Sequence, residues 1–158
     1  MSSRTLELKV PVALDEPGSR TLAPRAAAFG IDLVIVGTVS VVASIGAHLL
    51  LMMFAPGVLE SAERWAIAGV FLASATVYFV GFWTREGSTP GQHMMGLRLA
   101  PAAFPDKPGP MGAPRAIVRF VVMVVSSLFV VDVIVAFLHR NGRALHDLAA
   151  GTIVVTEG

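Results

Sequence analysis

Cysteine is absent from this 158-residue sequence. That excludes disulfides and thiolate metal sites, and it leaves the redox compartment unmarked. Charge is scarce as well: 15% of the residues are Asp, Glu, Lys or Arg, against about 25% in average soluble domains. So few charges cannot cover a water-facing surface. The formal net charge is only +1, so no overall field points to nucleic acid. There is no Walker loop, no GxSxG and no HExxH. His93, His139 and His146 stand apart in separate connections, without metal-ligand spacing. No nucleophile–base pair is visible, so an enzyme is not expected, and neither is a cofactor. An apolar secretory core is missing from Met1 to Pro24, which carries Arg4, Glu7, Lys9, Asp15, Glu16 and Arg20. The first membrane helix is therefore expected to act as its own insertion signal. No internal repeat is visible.

Long apolar runs fill the space that charge leaves. Hydrophobic residues make up 54% of the chain. About 20 residues cross a bilayer's hydrocarbon core, and three runs approach or exceed that length. The expected fold is an all-α integral membrane protein with helical segments at about 26–54, 65–83 and 116–138. These belong to one domain, 24–156, between a polar tail at 1–23 and a short end at 157–158. Pro24 suits a first helical turn. Pro56-Gly57 stops the first run, and Glu60, Glu63 and Arg64 make a charged loop. Trp65 at one end of the second run and Tyr78, Phe82 and Trp83 near the other fit interfacial aromatic belts. Leu97–Ala100 and Thr152–Val155 read as short cytoplasmic strands.

Orientation follows the distribution of Lys and Arg. Arg4, Lys9, Arg20 and Arg25 precede or open the first segment, and Arg85, Arg98, Lys107, Arg115 and Arg119 follow the second, while the first loop has only Arg64. The N-terminus and the second connection are thus expected in the cytoplasm. The third segment leaves two arrangements open. As a simple span, the first choice, it puts Arg140 and Arg143 outside and separates the two strand-like pieces. A re-entrant hairpin bending near Ser126-Ser127 keeps both pieces inside.

Asp32 is the sharpest chemical signal. A carboxylate within a membrane helix costs about 2.5 to 3.5 kcal/mol on insertion scales. It should face other helices or water, either as a structural polar group or as a residue that handles an ion or substrate. Arg25 lies two turns earlier on the same face, about 10 Å away along the axis. Its plainer role is anchoring at the headgroups. Asp132 is a second carboxylate, in the third segment. Paired with Asp32 it would offer oxygen ligands to a hard cation or take up a proton. Alternatively it bonds a serine across a helix interface. His48 sits near the outer end of the first segment.

Three blocks then fit together. They are Ala23-Pro24-Arg25-Ala26-Ala27-Ala28-Phe29-Gly30-Ile31-Asp32, Thr89-Pro90-Gly91-Gln92-His93-Met94-Met95-Gly96-Leu97-Arg98-Leu99, and Arg143-Ala144-Leu145-His146-Asp147-Leu148-Ala149-Ala150-Gly151-Thr152 with the strand after it. In this order, around apolar segments, they resemble the RDD family of prokaryotic membrane proteins. The family is named for an arginine and two aspartates, matched here by Arg25, Asp32 and Asp147. Gly91, Gly96, Arg143, His146, Gly151 and Thr152 belong to the same motif blocks. The chain departs from common members at Gln92-His93, where a basic pair often stands, and in carrying Asp132.

The resemblance implies a multi-pass protein of the prokaryotic inner membrane. It implies transport of an unidentified ligand, with sodium/proton antiport proposed for some members. Asp32, Asp132 and Arg25 are then the transport or ion-binding candidates, with Na+ or H+ as the ion. Asp147 is either a clamp, accepting near Gly151-Thr152 or pairing with Arg25, or a transport residue. Three helices enclose little space, so a homo-oligomer in the lipid bilayer is expected. The alternative is a membrane scaffold or accessory subunit whose charges only hold the fold.

Overall fold

The computed structural model describes residues 22–54, 59–128, 131–138 and 143–156, without the side chains of 59–64, 128, 131–133 and 137. The polar tail before residue 22, the Pro56-Gly57 turn, the side chains of Glu60, Glu63, Arg64 and Asp132, residues His139 and Arg140, and the 157–158 end lie outside the described residues. The elements are α1 (Leu22–Phe54), α2 (Leu59–Arg85), α3 (Pro90–Met94), β1 (Leu97–Pro101), α4 (Ala113–Leu128), α5 (Val131–Leu138), α6 (Leu145–Ala149) and β2 (Thr152–Thr156).

Two helices, α1 and α2, are long and apolar enough to cross a membrane. Their outer faces expose Val34, Val42, Ile45 and Met53 on α1 and Phe71 and Val77 on α2. Apolar exposure on this scale calls for a nonaqueous surround. The buried stripe of α1 is Ala28, Asp32, Val36 and Ser40, one residue every four, which is the spacing of one helix face. At 33 residues, α1 is about 50 Å long, well beyond the roughly 30 Å of hydrocarbon. Its N-terminal part, around Ala28 and Asp32, packs on α3.

Within the third apolar segment the described residues form α4, Ala113–Leu128, and α5, Val131–Leu138. Arg119, near the start of α4, reaches Thr152 and Asp147. The start of α4 therefore lies beside α6 and β2. Ser126 bonds back to the Val122 carbonyl, a common way for serine to sit within a helix.

β1 and β2 pair antiparallel, from Leu97 opposite Thr156 to Pro101 opposite Thr152. The sheet exposes a repeat that the sequence hides. α3, Gly96 and β1 form one unit, and α6, Gly151 and β2 form another. Each has a five-residue helix, a glycine at φ +65° or +63°, and a five-residue strand. The left-handed conformation is cheap for glycine alone, so both turns keep it. Leu99 and Val154, the middle residues of the strands, face each other, which places a local two-fold axis between them. Trp83, Leu97, Leu99, Ala116, Phe120 and Val154 form the core where these units meet the long helices.

Candidate functional site

Asp32 is buried and held by neutral donors. Tyr78 Oη donates to Oδ1 at 2.7 Å, the Gly91 N–H donates to Oδ1 at 2.8 Å, and Thr89 Oγ1 donates to Oδ2 at 2.6 Å. Gly91 is what lets α3 come this close. A Cβ there would collide with the Ala28 carbonyl and stand 2.7 Å from Asp32 Oδ1. α3 is closed by a capping box: Gln92 N–H donates to Thr89 Oγ1 at 3.2 Å, and Thr89 N–H donates to Gln92 Oε1 at 3.0 Å. The Thr89-Pro90-Gly91-Gln92 sequence carries this signature in full.

Arg25 does not pair with Asp32. It donates to Asp147 Oδ2, joining the start of α1 to α6. Arg119 Nη1 lies 2.5 Å from Asp147 Oδ1 and donates to Thr152 Oγ1 at 2.5 Å. His146 Nε2 lies 3.5 Å from the same Asp147 oxygen, and the Ala144 N–H donates to Oδ2 at 3.2 Å. Arg143 completes the knot by donating to the carbonyls of Thr152 and Asp147. Burial pushes the Asp147 carboxyl up, but the charges of Arg119, His146 and Arg25 outweigh it and hold the group well below the usual carboxylate range. Sequence reasoning missed Arg119 as a partner. Its place in an apolar segment with no nearby acid was the available signal, since a buried guanidinium needs a counter-charge.

A cavity of about 360 Å³ opens between the two groups. Arg25, Asp32, Gln92, Arg119 and His146 supply its polar wall, and Phe29, Phe79, Trp83, Met123 and Ala136 supply apolar surface. Trp83 donates to Gln92 Oε1 at 3.3 Å, and the Arg119 guanidinium lies over its ring, 4.9 Å from the centroid, a cation–π contact. His48 lies elsewhere, lining a smaller cavity of about 280 Å³ toward the far end of α1 and α2. Gly96, Gly151 and Thr152 shape the strands rather than the cavity. Among the described residues there is no cluster of three metal-binding side chains.

The comparisons with known proteins bear on these same residues. Neither the curated proteins nor the solved structures contain a match to the chain. The family model described as "RDD family" matches residues 20–151, a stretch that holds Arg25, Asp32 and Asp147 and the whole cavity wall. This membrane protein therefore belongs to the RDD family.

Proposed function

We propose that this protein transports a small solute, and that the cavity between α1, α2, α4 and α5 is its binding site. One observation carries this. The cavity lies between the two halves that share the helix–glycine–strand unit, with Arg25, Asp32, Phe79 and Gln92 from the first half and Arg119, Met123, Ala136 and His146 from the second. Transporters built from repeats bind their substrates at such an interface. A volume of about 360 Å³ falls at the small end of ligand sites. The site is formed within one chain, so the reading needs no second copy.

We propose further that the N-terminus, the β1–β2 sheet and α6 face the cytoplasm of a prokaryotic cell, with α4 and α5 as a hairpin that enters the inner membrane and returns. The contacts of Arg119, near the start of α4, with Thr152 and Asp147 support that arrangement. Sodium/proton exchange fits less well, because the Asp32 oxygens already accept three hydrogen bonds. Those bonds favour a second reading, a scaffold in which Asp32 and Asp147 are fasteners only.

Because the chain has no cysteine, single-cysteine variants separate the readings. Ala26 is exposed and lines the cavity. In reconstituted, oriented vesicles, Ala26→Cys is expected to react with an impermeant maleimide added to either side, as alternating access requires. Thr156→Cys, at the exposed end of β2, should react from the cytoplasmic side alone. Ala26→Cys reacting from one side only would remove transport and leave the scaffold.

A further inference from the structure

A further cavity, of about 580 Å³, shares no lining residue with the solute site. Ala73, Val77, Gly81 and Arg85 of α2 line it, with Val39 of α1 across from them. The four α2 residues stand one turn apart on a single helix face, so their order along the cavity is fixed. From Ala73 to Arg85 the helix rises about 18 Å. Val39 and Val77 are 52% and 75% exposed. On two helices long and apolar enough to cross a membrane, such exposure faces lipid, so the cavity is a groove on the bilayer side. At Gly81 an added Cβ would meet nothing within 4 Å, which leaves the floor of the groove open at that turn. Tyr78 and Phe82 add to the wall, their rings edge to face with centroids 5.0 Å apart.

One end of the groove is charged. Arg85 is the last residue of the span Trp65–Arg85, so it stands at the level of the lipid headgroups. Glu86 follows, and its N–H donates to the Phe82 carbonyl at 2.8 Å, which continues the helical ladder and sets its direction. Both residues are exposed, and both line the groove. Consecutive residues on a helix do not face each other. The end of the groove therefore offers a cation and an anion side by side. Away from it the lining is apolar except for Ser74 and Tyr78, and the Tyr78 hydroxyl donates to Asp32.

We infer that this groove holds a phospholipid with a zwitterionic, primary-amine headgroup. Its phosphate lies against Arg85, its ammonium against Glu86, and an acyl chain runs along Gly81, Val77 and Ala73. A guanidinium suits a phosphate. A carboxylate accepts from the three donors of a primary ammonium, whereas a trimethylammonium group has no N–H to give. An anionic headgroup without an amine would set like charge against Glu86. The order of the lining, charged at the end of the span and apolar toward its middle, matches the order of a lipid in the bilayer. The inference does not rest on transport. It does place the lipid one side chain from the solute site, because Tyr78 lines the groove and donates to Asp32.

The test is a lipid titration of the full-length protein in mild detergent, with bound lipid counted by native mass spectrometry. Phosphatidylethanolamine, phosphatidylcholine and phosphatidylglycerol with identical acyl chains are compared. The first phosphatidylethanolamine is expected to bind about tenfold more tightly than phosphatidylcholine, the value of one charge-assisted hydrogen bond, and more tightly than phosphatidylglycerol. Glu86→Gln should bring the ethanolamine and choline lipids close to level. Arg85→Gln should weaken both by a similar factor, since both carry the phosphate. Gly81→Leu fills the groove from a position with open space, and it should abolish the preferred site while the unfolding midpoint holds. Equal binding of the three lipids means a general lipid coat and overturns the inference. So does phosphatidylglycerol binding first, or a preference that Gly81→Leu leaves unchanged. A dimer that Gly81→Leu dissolves would assign the groove to a second copy of the chain and overturn it as well. Alternating access fails or survives separately, in the maleimide experiment.

Discussion

Arg119 and Asp147 form a buried ion pair across the α4–α6 contact, 2.5 Å apart, with side chains 1% and 0% exposed. Arg25 reaches the same carboxylate from α1, so one acidic group ties three helices. Breaking a buried pair from one side leaves an uncompensated charge, at roughly 3 to 5 kcal/mol. Asp147→Ala is expected to lose that much, because it strands Arg119 while the rest of its surroundings stay closed. Arg25→Gln should cost less, since Arg25 is 16% exposed and water can serve part of its role. Thermal unfolding of the purified variants in detergent checks the order. Equal midpoints for Asp147→Ala and wild type would contradict it.

The same pair sets a pH dependence. The Asp147 carboxyl is held below its ordinary value in the folded protein. A depressed native pKa gives a contribution to stability that is complete above the unfolded value of about 3.9. That contribution is lost as pH falls below this value toward the native one. Wild type should therefore lose stability more steeply than Asp147→Asn as pH falls below about 4, and the two should run parallel above about pH 5. Midpoints measured across the range decide the matter. A wild-type slope no steeper than the variant's would show that Asp147 is not the group responsible.

The apolar segments, the strand pieces and the choice of Arg25, Asp32 and Asp147 were legible because each left a local mark: length, β-branching, or charge where charge is costly. Pairing was legible only in part. Asp147 offered Arg25 as one of its partners, but nothing along the chain chose that pair over a bond near Gly151-Thr152, and the Arg119–Asp147 contact left no mark. The direction of the third apolar segment was not legible, since periodicity reports helix and not direction. The repeat stayed hidden because Leu97–Pro101 and Thr152–Thr156 have no residue in common at matching places. A backbone conformation recurs there, and only Gly96 and Gly151 betray it. Asp132 has no described side chain, so its role stands where the sequence left it.

Gly91 holds the closest approach in the site. A methyl group there would enter the Ala28 carbonyl of α1 and the Asp32 carboxylate. Neither can retreat, because one is helix backbone and the other is held by three donors. Gly91→Ala should cost about 1 to 3 kcal/mol or more, as overpacking does, and should release α3 from α1. By contrast Gly30→Ala, with nothing within 4 Å of the added carbon, should be neutral or slightly stabilising, since alanine favours helix. Limited proteolysis between α2 and β1, compared across the two variants, reads the release directly. Equal protection in both would refute the close-packing account.

Asp32 separates a fastener from a group that must carry charge. Asp32→Asn keeps an oxygen for Tyr78 Oη and the Gly91 N–H, and its amide nitrogen can donate to Thr89 Oγ1. Three bonds are thus retained in altered polarity, and the structure should persist with a loss of about 1 kcal/mol or so. Asp32→Ala leaves three donors without an acceptor. The two hydroxyls can rotate toward other oxygens, but the Gly91 N–H is fixed by α3. Stranding a buried donor costs about 1 to 3 kcal/mol, so Asp32→Ala should be clearly less stable than Asp32→Asn. The maleimide reactivity of Ala26→Cys then tells what the charge does. If Asp32 only fastens α3 to α1, the Asn variant should keep two-sided labelling at the wild-type ratio. If its ionisation drives the change of access, that ratio should lose its dependence on pH in Asp32→Asn while the unfolding midpoint stays within a few degrees. A collapse of both stability and labelling in the Asn variant would show that neutral donors alone do not hold this carboxylate, contrary to the bonding described.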